Sequence, residues 1–178
     1  TVLCSVVSAK IGGNAMVWHF RFGYVVFALL LFRLGWGLVG GHWSRVAILV
    51  RAPGDALRYL RGERRPDDHL DVGHNPLGAL SVMALLLFLA AQVGTGLVAD
   101  DEIASVGPLN RLVSSAVAAR ATSWHADYGS ALLLGLVGLH IAAVVYYLVR
   151  KKINLIRPMI VGDKPLPPGT PVSRDTPG

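Results

Sequence analysis

Two histidines occupy one long apolar segment, and an ionisable side chain at membrane depth is costly and therefore a candidate functional group. His125 and His140 both lie in the stretch 124–149, which is long enough to cross a membrane and is followed at once by Arg150. Fifteen helical steps separate the two imidazoles by roughly 22 Å along the axis and about 60° around it. One helix face would thus offer an imidazole near each side of the membrane, as a pair of stacked hemes requires.

A third histidine, His19, begins a second apolar segment at about 19–39, and its depth matches that of His125. Two histidines from different helices can bind one planar heme iron from both faces through neutral imidazoles. His140 finds no such partner at its own depth within the complete spans, so a hydrogen bond to a neighbouring helix remains its alternative. Arg33 follows His19 by fourteen residues and reaches roughly the depth of His140, where it would pair with a heme propionate or snorkel to the boundary.

The composition of the 178-residue chain favours a membrane protein, because 53% of its residues are apolar and its mean hydropathy is +0.50. The net charge of +6 does not indicate binding to nucleic acid. The basic residues lie at the ends of apolar segments, where the positive-inside rule expects them. The single cysteine, Cys4, excludes an internal disulfide and a cysteine metal cluster.

The hydropathy pattern predicts an all-α membrane protein with a four-helix transmembrane bundle. We place the bundle in residues 1–164 and a flexible, proline-rich tail in residues 165–178, with spans at about 1–9, 19–39, 77–99 and 124–149. The first of these is too short to cross a membrane. We interpret it as the end of a helix whose beginning is missing, so that the first helix is only partly present; a processed N-terminus is the alternative.

The distribution of basic residues predicts the orientation of the bundle. Six arginines lie in the connection 44–73 and six basic residues follow Val149, whereas the turn 10–21 and the connection 100–123 hold two each. Basic loops face the cytoplasm, so we expect a multi-pass membrane protein with a cytoplasmic C-terminus. A short helix lying on the membrane surface is predicted to begin at Pro53.

The sequence indicates a functional role less strongly for the remaining histidines. His74 directly precedes a predicted helix start at Asn75-Pro76, and it is interpreted as a cap or interfacial residue, with a heme-edge contact or second heme ligand as the alternative. His42 and His69 are interpreted as solvated loop residues. Several glycines of the predicted spans would allow close helix approach: Gly94, Gly96, Gly129, Gly135 and Gly138.

Several short motifs, taken in order, resemble those of the small bacterial four-helix b-type cytochromes. This group includes the cytochrome b subunit of nickel–iron hydrogenases and the bacterial cytochrome b561 proteins. The resemblance extends to about residue 164 and rests on Trp18-His19, Gly23-Tyr24, Phe32-Arg33-Leu34-Gly35-Trp36-Gly37, Gly73-His74-Asn75-Pro76-Leu77-Gly78, Trp124-His125, Leu139-His140 and 154–162.

The resemblance implies four membrane helices in a bacterial inner membrane and two b-type hemes. By that resemblance His19 and His125 hold the outer heme and His140 the inner one, whose family partner, a histidine followed by tryptophan on the first helix, is absent from this sequence. Two departures stand out. Ala126, followed by Asp127, replaces a glutamate common in the family, and the interval from His125 to His140 is one residue longer than the family pattern.

The predicted function is electron transfer between the quinone pool and a partner redox protein, as a subunit of a respiratory chain rather than a free-standing enzyme. The expected cofactors are two hemes b, with quinone as a further candidate. The expected partners are membrane lipid, a c-type cytochrome or a dehydrogenase or hydrogenase subunit, and a second copy of the chain. Two alternatives are a heme-free anchor that recruits a partner enzyme and a small proton or anion transporter. The anchor leaves His140 and Arg33 as unexplained costs. The transporter would use these two residues for protons or anions, but the sequence shows neither the inverted repeats nor the broken helices that would support it.

Overall fold

The computed structural model describes residues 1–39, 46–63, 76–103 and 105–157, and this part of the chain is helical. Its α-helices are α1 (Val2–Ile11), α2 (Met16–Val39), α3 (Val46–Leu60), α4 (Pro76–Val98), α5 (Ser115–Ser123) and α6 (Ser130–Val149). A π-helix, Trp124–Gly129, joins α5 directly to α6. Short 3₁₀ turns, Gly13–Ala15 and Asn110–Leu112, precede α2 and α5.

Three helical segments in the described residues are long and apolar enough to cross a membrane. They span Gly13–Val39, Pro76–Val98 and Ser115–Val149, with 27, 23 and 35 residues. Large apolar side chains on them point outward, as Leu87 and Leu139 show with exposures of 62% and 68%. Apolar surface of this extent suits contact with lipid, which confirms the prediction of an all-α membrane protein.

The predicted fourth span is not established. α1 is apolar, but its ten residues are about half of what a hydrocarbon core requires. Gly12 and Gly13 follow it with φ angles of 69° and 52°, which residues with a Cβ rarely adopt. They allow the tight turn that brings Ser5 of α1 beside His19 of α2.

The last membrane helix begins earlier than the sequence pattern predicts. The expected start was residue 124, but the helical segment extends back to Ser115 through α5. The α5 sequence is rich in alanine and carries Arg120, so its hydropathy is low while its helix propensity is high. Hydropathy finds apolar runs, and it therefore missed a helix that propensity alone would favour.

The surface helix also begins earlier than predicted. Instead of starting at Pro53, α3 starts at Val46 and contains the proline in its interior. Proline lacks the N–H that would donate to the carbonyl four residues earlier, which is why its position was interpreted as a helix start. Near the end of α3, Asp55 and Arg58 form an ion pair.

The loop after α4 folds back over the end of that helix and satisfies its last carbonyl groups. The backbone N–H of Gly107 donates to the carbonyl of Ala99 at 2.8 Å, and the side-chain amide of Asn110 donates to the carbonyl of Val98 at 2.9 Å. Gly107 packs against the backbone of Leu97, where a Cβ would have no room. These contacts fix Gly107 and Asn110 of the loop against the end of α4.

The Cα positions group the described chain into two compact units. The first contains Thr1–Gly35 with Leu85–Gly135. The second contains the described residues from Trp36 to Ala84 and from Leu136 onward. Ser8, Val26 and Leu133 are among the buried residues of the first unit, which also contains His19 and His125; His140 belongs to the second.

Candidate functional site

The ring of His19 is held from one side by Ser5 of α1. Its Nδ1 lies 2.9 Å from the Ser5 carbonyl oxygen and 3.0 Å from the Ser5 hydroxyl oxygen. Because a carbonyl can only accept, Nδ1 must carry the proton that it donates. With Nδ1 engaged in this way, Nε2 is the nitrogen that remains for a metal.

His125 is held in the same way by α4. Its Nδ1 lies 2.8 Å from the backbone carbonyl oxygen of Gln92, to which it donates, and 3.4 Å from the hydroxyl of Thr95. The same argument leaves Nε2 of this ring for a metal. A histidine that ligates a metal usually donates its other ring N–H to a carbonyl, and both rings of the first unit follow that pattern.

The two imidazoles face each other inside the first unit. Their ring centroids are 5.7 Å apart and their planes are nearly perpendicular, at 87°. Metal–imidazole bonds of about 2 Å, the length found for zinc, plus about 1 Å from each nitrogen to its ring centroid, give a separation of roughly 6 Å for two rings on opposite sides of one metal ion. The observed separation therefore suits a shared metal.

A cavity of about 220 Å³ adjoins the two rings. Its lining is mainly apolar and includes Phe20, Gly23, Leu89, Val93 and Leu133. The volume is smaller than the roughly 300–1,000 Å³ of pockets for drug-sized ligands, so a ligand as wide as a porphyrin would extend past this lining. Apolar walls with a few polar groups are typical of cofactor sites.

Only some of the glycines singled out by the sequence lie at close contacts. A Cβ on Gly96 would lie 2.7 Å from Cε1 of His125, and a Cβ on Gly129 would collide with the side-chain oxygen of Gln92. Gly94 and Gly135 have open space where a Cβ would lie, as does Gly138. Gly96 is thus needed for the imidazole to reach the α4 backbone.

The π-helix lies at the centre of this site and was not predicted. His125 is its second residue, and the side-chain amide nitrogen of Gln92 donates to the His125 backbone carbonyl at 2.7 Å. A π-turn contains one more residue than an α-turn, so it can absorb the extra residue noted between His125 and His140. The regular 100° steps used to place these two histidines around one helix do not hold across this segment.

His140 lies half-buried on α6 in the second unit. Its Nδ1 is 3.1 Å from the hydroxyl oxygen of Ser81 on α4. A hydroxyl can donate or accept, so this contact does not by itself choose the tautomer. Within the described part of the second unit no other histidine occurs, in keeping with the unpaired position expected from the sequence.

Residues 5–162 match the family of prokaryotic cytochrome b561 proteins, which is most of the chain. The chain belongs to the prokaryotic cytochrome b561 family. No curated protein and no solved structure matches it closely enough to count as a relative. Membership makes this chain a membrane b-type cytochrome of electron transport, and heme b is the cofactor that the family implies.

The imidazoles of His19 and His125 in the first unit suit the cofactor of the b561 family. A low-spin heme b needs two imidazole ligands with Nε2 available to the iron, and in both His19 and His125 it is Nδ1, not Nε2, that is engaged with a backbone carbonyl. Among the described residues, no group of three or more histidine, cysteine or acidic side chains forms an alternative metal site. The residues present therefore fit a bis-histidine heme.

The other predicted site residues are placed less completely. Arg33 is a half-buried residue of α2 in the first unit. His74 lies outside the described residues, as do His42, His69 and the tail 165–178. Sequence reasoning missed Ser5, Ser81 and the role of Gln92. The signal for Gln92 was present, since it is a rare polar side chain within the apolar α4 sequence.

Proposed function

We propose that this cytochrome carries electrons between membrane quinone and a partner redox protein, with His19 and His125 as the axial ligands of one heme. His140 would ligate a second heme whose other ligand lies outside the described residues, with His74 as one candidate. Arg33 would neutralise a heme propionate. The partner would be a c-type cytochrome or a dehydrogenase or hydrogenase subunit, and the C-terminus would face the cytoplasm.

One observation carries the proposal: two imidazoles from different helices lie 5.7 Å apart, each with Nδ1 committed to a backbone carbonyl. These carbonyls orient the rings, set the tautomer in which Nδ1 carries the proton, and raise the basicity of Nε2. A bound heme supplies one-electron chemistry through its iron. Occupation of both axial positions by imidazole would leave no site for oxygen, which suits electron transfer rather than catalysis at the metal.

The heme-free anchor is less well supported by the same geometry. An anchor needs apolar helices but has no use for two half-buried imidazoles that face each other with fixed tautomers. A transporter would need a path lined by ionisable groups through the membrane region. The polar contacts around His125 instead hold the ring in place, since Gln92 and Thr95 lie on the helix that supports it.

The test is the heme-to-protein ratio of the detergent-purified, full-length protein, with reduced-minus-oxidised spectra. We expect His19→Ala and His125→Ala each to lose the same heme, and His140→Ala to lose the other. His69→Ala is the matched control and should keep the full heme content. A single heme lost only from the His19 and His125 variants would remove the second heme from the proposal. A heme content that none of the three substitutions changes would overturn it.

A further inference from the structure

Gln92 contacts His125 twice, once through its backbone and once through its side chain. Its carbonyl oxygen accepts a hydrogen bond from His125 Nδ1 at 2.8 Å, while its side-chain nitrogen donates to the His125 carbonyl oxygen at 2.7 Å. The two bonds run in opposite directions between the same pair of residues. They therefore fix both the ring and the backbone of His125 relative to α4.

The side-chain oxygen of Gln92 occupies an energetically unfavourable position. It is buried and has no hydrogen-bond partner among the described residues, and it lies against Gly129, beside the indole Nε1 of Trp124. An unpaired buried acceptor is destabilising. The hydrogen bond from the amide nitrogen to the His125 carbonyl oxygen would offset this loss of stability.

The backbone that receives this bond is unusual. His125 and Gly129 both belong to the π-helix Trp124–Gly129, and π-turns are rare because they interrupt the regular i to i−4 hydrogen bonding of a helix. The carbonyl oxygen of His125 in this turn accepts a hydrogen bond from a donor outside its own helix. The Gln92 amide supplies that donor and fills the space left by the absent side chain of Gly129.

From these contacts we infer that Gln92 is a positioning residue: its amide stabilises the π-helix and so sets the plane of the His125 imidazole at a right angle to that of His19. The inference rests on the proposed function, in which these two rings ligate one heme. The stabilisation of the π-helix by Gln92 does not depend on heme binding. In this role Gln92 acts through His125 and is not itself a ligand.

The angle between the rings has a spectroscopic consequence. In a low-spin ferric heme, parallel imidazole planes separate the iron d orbitals and give a rhombic electron paramagnetic resonance signal. Perpendicular planes leave two of these orbitals nearly degenerate and give a strongly anisotropic signal with one large g value. The observed angle of 87° therefore predicts a strongly anisotropic signal for the heme held by His19 and His125.

The experiment compares Gln92→Met and Gln92→Glu with the unaltered full-length protein. Methionine keeps the length and volume of the side chain but cannot donate, and glutamate keeps its shape but offers only acceptors. We expect the large g value to decrease in both variants. We also expect the backbone amides of residues 124–130 to exchange with deuterium at an altered rate, measured by mass spectrometry. The signal of the other heme should not change.

Gly96→Ala tests the orientation of the His125 ring without changing Gln92, because a Cβ at position 96 would lie 2.7 Å from His125 Cε1. It should also shift the large g value. Gly94→Ala is the matched control, since a Cβ there meets nothing within 4 Å. The altered exchange rate should not appear in the control.

The two possible failures can be told apart. If His125→Ala loses one heme while both Gln92 variants keep the g values and the exchange rates of residues 124–130, the positioning role is wrong and the proposed function stands. If His125→Ala keeps all heme, the proposed ligand is wrong. The exchange rates in the Gln92 variants would then still decide whether this side chain stabilises the π-helix.

Discussion

The imidazole rings of His19 and His125 lie edge to face, with centroids 5.7 Å apart and planes at 87°. His19 lies on α2 and His125 on the π-helix, 106 positions later in the sequence. Each ring is held through Nδ1 by a backbone carbonyl on a further helix. The site thus depends on four helical segments of the first unit.

Removal of either ring should leave a space that free imidazole can fill. We expect His19→Gly to lose one heme and to regain its low-spin spectrum when imidazole is added during heme reconstitution, because the missing ligand is then replaced. His125→Gly should behave similarly. The measurement is the visible spectrum against imidazole concentration, with His69→Gly as a control that needs no imidazole. Loss of heme that imidazole never restores would contradict a ligand role for the ring.

Ser5→Ala removes a hydroxyl that contacts His19 but keeps the carbonyl that accepts from Nδ1. The expected loss of stability is small, about 0.5–1.5 kcal/mol for one partly buried hydrogen bond. Heme should remain bound. Thermal unfolding of the purified protein in detergent checks the first expectation and the heme-to-protein ratio the second. Complete loss of heme would show that the hydroxyl, and not the carbonyl, determines the state of the ring.

Gly96→Ala should disturb His125 more strongly than the neighbouring change Gly94→Ala. The added methyl group at position 96 would lie 2.7 Å from Cε1 of the ring, whereas position 94 has open space. Overpacking of this kind costs typically about 1–3 kcal/mol. Thermal unfolding and heme occupancy of the two variants, measured side by side, give the comparison. Equal behaviour of the two variants would mean that the ring moves aside without cost.

If His140 ligates the proposed second heme, Ser81→Ala should affect only that heme. The hydroxyl of Ser81 lies 3.1 Å from His140 Nδ1, and both residues belong to the second unit. We expect the midpoint potential of one heme to shift, because a hydrogen bond to the distal ring nitrogen tunes the basicity of the ligand. A redox titration followed by absorbance would resolve the two hemes. A shift in both potentials, or in neither, would contradict this assignment.

The predicted orientation can be tested with single cysteines in a Cys4→Ser background. Ser173→Cys in the C-terminal tail should react with a membrane-impermeant maleimide only in inverted vesicles. Ser114→Cys, which lies just before α5 on the connection with few basic residues, should react only in right-side-out vesicles. The reverse pattern would contradict the cytoplasmic C-terminus expected from the positive-inside rule.

The three membrane helices could be predicted because length and hydropathy are local properties of the sequence. The predicted spans 19–39 and 77–99 end at or within a residue of the observed ends, Val39 and Val98. The start of the last span was misplaced because α5 forms through helix propensity and not through hydropathy. The Pro53 position misled the prediction of α3 because proline more commonly begins a helix than lies within one.

The class of the protein, its three long apolar helices and the candidate histidines follow from the sequence, since each depends on residue type and spacing along one helix. The surroundings of those histidines depend instead on how the helices pack. The carbonyls of Ser5 and Gln92 are chemically the same as any others, and they become partners of His19 and His125 because the helices approach closely. The π-helix likewise depends on a donor from α4, which no local pattern in residues 124–129 reveals.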